Sequence, residues 1–188
     1  MNAPTHVVLI RGINVGGKNP APMGRLRDSL VGRGYGRVST YIQSGNVLLA
    51  AQGDDAAVVT EAVVTDDVER LLAEEFGVDT VVVTVAADSL RRAIAAAPEG
   101  FGAEPDEYHY DVAFLRPGLA SADALAAFGI REGVDAAWPG DGVVYFRRLS
   151  ALRTRSRMST VMSSPHYKNM TIRNWRTCTT LVEMLRRA

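Results

Sequence analysis

Val7-Val8-Leu9-Ile10 is an apolar, β-branched run, and the polar stretch Arg11-Gly12-Ile13-Asn14-Val15-Gly16-Gly17-Lys18-Asn19 ends it abruptly. Such a run bounded by turn residues reads as a buried strand. Pro22 then suits the first turn of a helix, and Met23, Leu26, Leu30 and Val31 follow on one helical face. Gly32 and Gly34 stop that helix. Val38 to Ile42 reads as a second strand, Gln43-Ser44-Gly45-Asn46 as a turn, and Val47 to Ala50 as the returning strand of a hairpin. A helical pattern starts near Asp55 to Glu61 and carries Val64, Val68, Leu71, Leu72 and Phe76 to a stop at Gly77. Thr80 to Val85 reads as a strand. Strand, helix, strand, strand, helix, strand is the split βαβ plan of a ferredoxin-like unit.

Residues 88–188 roughly repeat the plan. Asp88 is a candidate N-cap for a helix that stops before Pro98. Tyr108 to Leu115 reads as a strand, and Ser121 as the cap of a short helix ending at Phe128-Gly129. Asp135 to Trp138 and Val143 to Leu149 flank the turn Pro139-Gly140-Asp141-Gly142. A helix is expected near Thr154 to Met162, a short strand near Met170 to Ile172, and a last helix from Asn174 to Arg187. The expected fold is α+β: two ferredoxin-like units of similar plan, residues 1–87 and 88–188, packed together without a linker.

Composition narrows the function. The 188 residues are 47% hydrophobic and 22% charged, which suits an ordinary globular chain. No apolar run approaches the roughly 20 residues of a membrane helix, and no membrane partner is expected. Met1-Asn2-Ala3-Pro4-Thr5-His6 has neither a basic nor an apolar leader segment, so no signal peptide is read there. A lone Cys178 offers no disulfide framework, and the default compartment is a reducing cytoplasm. His6, His109 and His166 stand far apart, so neither a zinc site nor any cofactor is expected.

The net charge of zero is not uniform. Residues 1–41 hold six basic and one acidic residue, residues 42–144 five and nineteen, and residues 145–188 ten and one. Either the basic ends neutralise the acidic middle inside the fold, or they present a basic face to an anionic partner.

Two constellations carry the candidate site. The split βαβ plan brings the loop after the first strand and the turn after the second to one sheet edge. There Arg11 and Lys18 supply charge, Gly16 and Gly17 backbone N–H groups, and Asn14, Gln43, Ser44 and Asn46 neutral contacts. The bland alternative is that the glycines and asparagines only make tight turns. A phosphate-binding P-loop also fits Gly12 to Lys18, but Asn19 lacks the hydroxyl that would hold Mg²⁺ and Pro20 and Pro22 obstruct the helix. The second constellation is basic. Arg155 and Arg157 lie in an arginine run, and Arg173, Asn174 and Trp175 follow, with Asn174 a candidate helix cap. Arginine forks suit phosphate, and Trp175 either stacks on a base or anchors the helix.

Leu9 to Asn19, together with Tyr41-Ile42-Gln43-Ser44-Gly45-Asn46-Val47, strongly resembles the bacterial family called domain of unknown function 1697. Pro22-Met23, Leu26-Arg27, Arg155-Ser156-Arg157-Met158 and Thr171 through Thr177 match its further motifs. Arg176 departs from the pattern, since that family more often has Asn after the tryptophan. The resemblance implies an α+β fold with ferredoxin-like halves and supplies no substrate.

Three functional readings follow. The chain binds a phosphate-bearing or other anionic ligand, a nucleotide or nucleic acid, at the Arg11-Lys18 and Gln43-Asn46 edge. Alternatively that edge is the site of a small-molecule enzyme, although no nucleophile–base pair is visible. The third reading is a structural or regulatory homodimer without ligand.

Overall fold

The computed structural model describes residues 3–51 and 59–188. The chain divides into two compact units, Met1–Arg91 with Leu181–Ala188, and Arg92–Thr180.

The first unit contains β1 (His6–Ile10), α1 (Met23–Gly32), β2 (Gly36–Tyr41), β3 (Asn46–Ala50), α2 (Glu61–Phe76) and β4 (Val82–Ala86). The strand order is β2-β3-β1-β4, antiparallel throughout. Both β2 and β1 run against β3, so they are parallel to each other, as the split βαβ plan requires. Val8, Ile10, Val47, Leu49 and Val82 on one sheet face pack with Leu26 and Leu30 of α1 and Val64, Val68, Leu71 and Leu72 of α2. Val7, Leu9, Leu48 and Val83, on the alternate positions, are equally inaccessible. A strand buried on both faces has no polar alternation, which is why β1 and β3 read as continuous apolar runs.

Helix ends follow local chemistry. Thr60 caps α2 by accepting from the Val63 N–H, and Gly77 closes it in the left-handed region at φ 64°. Residues 55–58 of the expected helix start lie outside the described residues. Val31, expected in the apolar face of α1, is 54% exposed; Leu26 and Leu30 are buried in the core and Met23 packs against it.

The second unit repeats the topology with β5 (Tyr108–Leu115), α4 (Ser121–Ala126), β6 (Asp135–Gly140), β7 (Val143–Leu149) and β8 (Met170–Asn174), ordered β6-β7-β5-β8. Two further helices complete the chain, α3 (Ala87–Ala95) and α5 (Trp175–Arg187). Three expectations need correction. Asp88 lies inside the first turn of α3 and pairs with Arg91 at 2.6 Å instead of capping it. Ser121 is not the cap of α4; Ala120 holds that position, and the Ser121 hydroxyl donates to the Gly140 carbonyl. The helix expected over 154–162 is replaced by three 3₁₀ segments, Ser150–Arg155, Met158–Ser163 and Pro165–Asn169. Serine and threonine hydroxyls there bond the local backbone, Ser156 and Ser164 each accepting from an N–H two residues on. Such bonds compete with an α-helix.

The acidic middle meets the first basic end in a network between α1 and α2. Arg33 of the α1 C-cap donates to Asp67 at 2.8 Å and to Glu74 at 2.7 Å, both on α2. Asp67 also accepts from Arg70 at 2.8 Å and from the Tyr35 hydroxyl at 3.0 Å. Burial pushes the Asp67 carboxyl up, but the bonds from Arg70, Tyr35 and Arg33 outweigh it and hold its pKa below the ordinary value. A lowered folded-state pKa stabilises above the unfolded pKa and is lost as pH falls through the folded one. Asp67→Asn is therefore expected to cost about 1–3 kcal/mol at pH 7 in urea unfolding. The difference from wild type should shrink as the pH is lowered below about 4.

Candidate functional site

At the edge of the first sheet, β1 ends at Ile10 and β2 returns through the turn 42–45. The two loops are fastened together, as the topology requires. The Ile10 N–H donates to the Gly45 carbonyl at 2.8 Å. The Asn14 amide donates to the Gln43 carbonyl at 3.0 Å and to the Ala21 carbonyl at 2.8 Å, while its oxygen accepts from the Ala21 N–H at 2.8 Å. One side chain thus ties the glycine loop to the β2–β3 turn and to the approach of α1. Asn14 itself has φ 57°, a conformation that asparagine tolerates better than other non-glycine residues.

The glycine loop is a miniature hairpin. Val15 and Lys18 form an antiparallel bridge, with the Lys18 N–H donating to the Val15 carbonyl at 3.0 Å. Gly16 and Gly17 are its two central residues, at φ 57° and 74°. Positive φ at both central positions is the signature of the hairpin turn that favours Gly-Gly. The two glycines, Lys18 and Gln43 are exposed at the tip. Four residues separate Lys18 from Met23, the first residue of α1. The P-loop reading therefore fails on geometry, because that motif delivers its lysine directly onto the helix N-terminus.

The turn 42–45 is constrained by packing. Gly45 has φ 79°, and a Cβ there would lie 2.8 Å from the Ile10 carbonyl oxygen and 2.9 Å from its Cβ. Ile42 has φ 47° and is 51% exposed, a strained conformation for a β-branched residue. Asn46 is fully buried; its amide donates to the Tyr41 carbonyl at 3.1 Å and to the Ser44 hydroxyl at 3.2 Å. Ser44 thus meets Asn46, whereas His109 meets Ser150 at 2.7 Å. Arg11 is half-buried, and its backbone anchors the loop: its N–H donates to Val81, and its carbonyl accepts from the Thr80 hydroxyl. Asn14 and Asn46 are therefore spent on the frame, while Lys18, Gln43 and the turn glycines face outward.

The basic residues of the second unit divide in the same way. Arg155, at the end of the first 3₁₀ segment, and Arg157, just before the second, are exposed, and among the described residues no carboxylate pairs with either guanidinium. Arg173 is 8% exposed and donates to the Thr171 hydroxyl and the Ile172 carbonyl, both at 2.9 Å. Burial pushes its pKa down to about 10. Asn174 caps α5, its side-chain oxygen accepting from the Thr177 N–H at 2.8 Å. Trp175 is half-buried and packs edge-on to Phe101 at 5.0 Å.

Asn174 and Trp175 also line a cavity of about 300 Å³ together with Tyr108, His109, Tyr110, Asp111 and Arg176. These β5 residues are absent from the sequence-based candidates. The signal was the alternation of Tyr108 and Tyr110 on β5 with Tyr145 and Arg147 on β7, which puts aromatic rings on one sheet face.

Two ferredoxin-like units and a polar loop edge define the class of this molecule. Residues 3–145 match the model of the family described as Protein of unknown function (DUF1697), and the chain belongs to that family. It is similar to a solved structure, conserved bacterial protein SP0830 from Streptococcus pneumoniae, with a TM-score of 0.77 and 21% identity. The likeness covers 98% of this chain and 99% of that one, and it shows the shared fold. No curated protein matches the chain. Among the described residues no helix is long and apolar enough to cross a membrane. Among them, too, no group of His, Cys, Asp and Glu could hold a metal ion.

The two kinds of glycine at this edge should separate in unfolding experiments. Gly45→Ala forces a Cβ into the Ile10 backbone and is expected to cost about 2–4 kcal/mol. Gly16→Ala and Gly17→Ala meet open space and should each cost only the conformational strain, about 1–2 kcal/mol.

Proposed function

We propose that this protein binds a phosphate-bearing ligand, a nucleotide or nucleic acid, at the edge formed by residues 11–18 and 43–46. In this reading Arg11 and Lys18 supply charge, Gly16 and Gly17 supply backbone N–H groups, and Gln43 and Ser44 orient the ligand. Asn14 and Asn46 act one step back by holding the loops. The observation that carries the reading is the Asn14 clamp, which joins both loops and leaves Lys18, Gly16, Gly17 and Gln43 outward on a fixed frame. Preorganised donors beside a cation lose little entropy on binding an anion. The exposed Arg155 and Arg157 add positive charge to the molecule without a carboxylate partner among the described residues, which favours an anionic partner over internal neutralisation. An enzyme at this edge has less behind it, since the Ser44 hydroxyl is drawn into the frame by accepting from the Asn46 amide.

The test is a titration with a nucleoside triphosphate and with single-stranded nucleic acid at low salt. Binding should weaken steeply as salt rises. Lys18→Ala should lower affinity by about fivefold or more with the melting temperature nearly unchanged. No binding of either probe at low salt, or full binding by Lys18→Ala, would overturn the reading.

A further inference from the structure

A different part of the molecule, the end of the second sheet where β8 passes into α5, carries an inference that does not depend on the loop edge. The cavity of about 300 Å³ there is at the lower end of the range for small-ligand sites. Three large aromatic residues, Tyr108, Tyr110 and Trp175, stand in its lining. Behind them stands a continuous ring cluster. Phe101 meets Tyr110 at 4.9 Å, Trp175 at 5.0 Å, Tyr145 at 5.5 Å and Trp138 at 6.1 Å, every pair edge-to-face. Gly102 permits this packing: a Cβ there would come within 2.2 Å of the Trp175 Nε1. The Arg147 guanidinium lies over the Tyr108 ring at 4.5 Å and the Trp138 ring at 5.5 Å. Tyr108 and Trp175 remain partly open to solvent, and Arg176 is exposed at the rim.

The polar groups here break a rule the rest of the fold obeys. Buried polar atoms are normally hydrogen-bonded. Among the described residues four buried side-chain atoms have no such partner: the Tyr110 hydroxyl, Asp111 Oδ2, Asp135 Oδ1 and Arg148 Nε. All four belong to this sheet, Asp111, Asp135 and Arg148 on one face and Tyr110 on the other, aromatic face. Asp111 lies 3.5 Å from Arg148, and Arg148 is directly opposite Asp135 in the β6–β7 register. Tyr110 and Asp111 both line the cavity. Burial also raises the pKa of the Asp111 carboxyl from its ordinary value, with Arg148 and His109 opposing it. Local departures of this kind concentrate at functional sites.

Placement within the topology indicates what the site takes. β5 is an inner strand of the sheet, and Tyr108 and Tyr110 share a face with Tyr145 and Arg147 of β7. Ferredoxin-like sheets that bind single strands use aromatic side chains of their sheet face as stacking platforms for bases. The first unit has no counterpart, since β1 and β3 are aliphatic apart from His6 and Asn46. We propose that the cavity bounded by Tyr108, Tyr110, Asp111, Trp175 and Arg176 is a nucleobase-binding site. Tyr108 and Trp175, both partly open, provide the stacking faces, the Tyr110 hydroxyl accepts from an N–H group of the base, and Arg176 serves an attached phosphate.

The same base chemistry comes from a free nucleotide or from a single strand, and one experiment separates them. Both tryptophans of the chain belong to the ring cluster, so their fluorescence reports on the site. Nucleosides, mononucleotides and single-stranded homo-oligonucleotides are titrated against the full chain. Nucleosides should perturb the fluorescence with sub-millimolar affinity; they carry no phosphate, so Lys18→Ala should leave this response unchanged. Tyr110→Phe removes only the unpartnered hydroxyl and should weaken binding about tenfold without loss of stability. Tyr108→Ala, at a half-exposed ring, should weaken it by a similar factor. Tighter binding of oligonucleotides than of mononucleotides assigns the site to a strand, and equal binding assigns it to a free nucleotide. No response to any nucleoside, or unchanged affinity in both tyrosine variants, overturns the proposal.

Discussion

One amide holds the loop edge together. Asn14 turns its side chain inward, giving both N–H groups to the Gln43 and Ala21 carbonyls and accepting the Ala21 N–H. Without it the turn glycines of residues 16–17 would be a tether between a strand and a helix. With it the loop is a short hairpin of defined shape, standing beside a turn whose Gly45 is pressed against Ile10. The positive φ values at Gly12, Asn14, Gly16, Gly17, Asn19, Ile42 and Gly45 follow from fitting these two loops into one place. Local strain of this kind persists only where the surroundings over-determine it.

Charge shows a similar division between frame and surface. The basic start of the chain is partly neutralised within its own unit, because Arg33 reaches Asp67 and Glu74 on α2. The basic end is not treated alike. Arg148 faces Asp111 and Arg187 faces Glu183, whereas Arg155 and Arg157 stand exposed without a carboxylate among the described residues. The zero net charge therefore conceals both structural neutralisation and outward-facing cations. Only the second kind supports binding of an anion.

The first unit was legible from the chain because each element had a distinct signature. Apolar runs gave β1 and β3, an i, i+3, i+4 pattern gave α2, and Gly77 marked its end. Proximity of the two loops followed from topology alone. What the sequence concealed was whether a polar side chain was spent inward or outward. Asn14 and Gln43 are both polar loop residues, and only the coordinates separate the clamp from the exposed group. The helix expected over 154–162 gives way to 3₁₀ turns because helix-forming residues sit among serines and threonines that bond locally. The ring cluster was missed because Phe101, Tyr110, Trp138, Tyr145 and Trp175 are scattered over 75 positions and meet only when β5 pairs with β7 and β8.

The most direct measurement of the central claim follows the backbone amides of the loop edge by nuclear magnetic resonance during titration with a nucleoside triphosphate. The account predicts that the amides of Gly16, Gly17 and Lys18 shift together with those of Gln43 and Ser44, while the buried amides of β1 and β3 hold still. Shifts spread over the molecule with none at these five residues, or no shift at low salt, would contradict it.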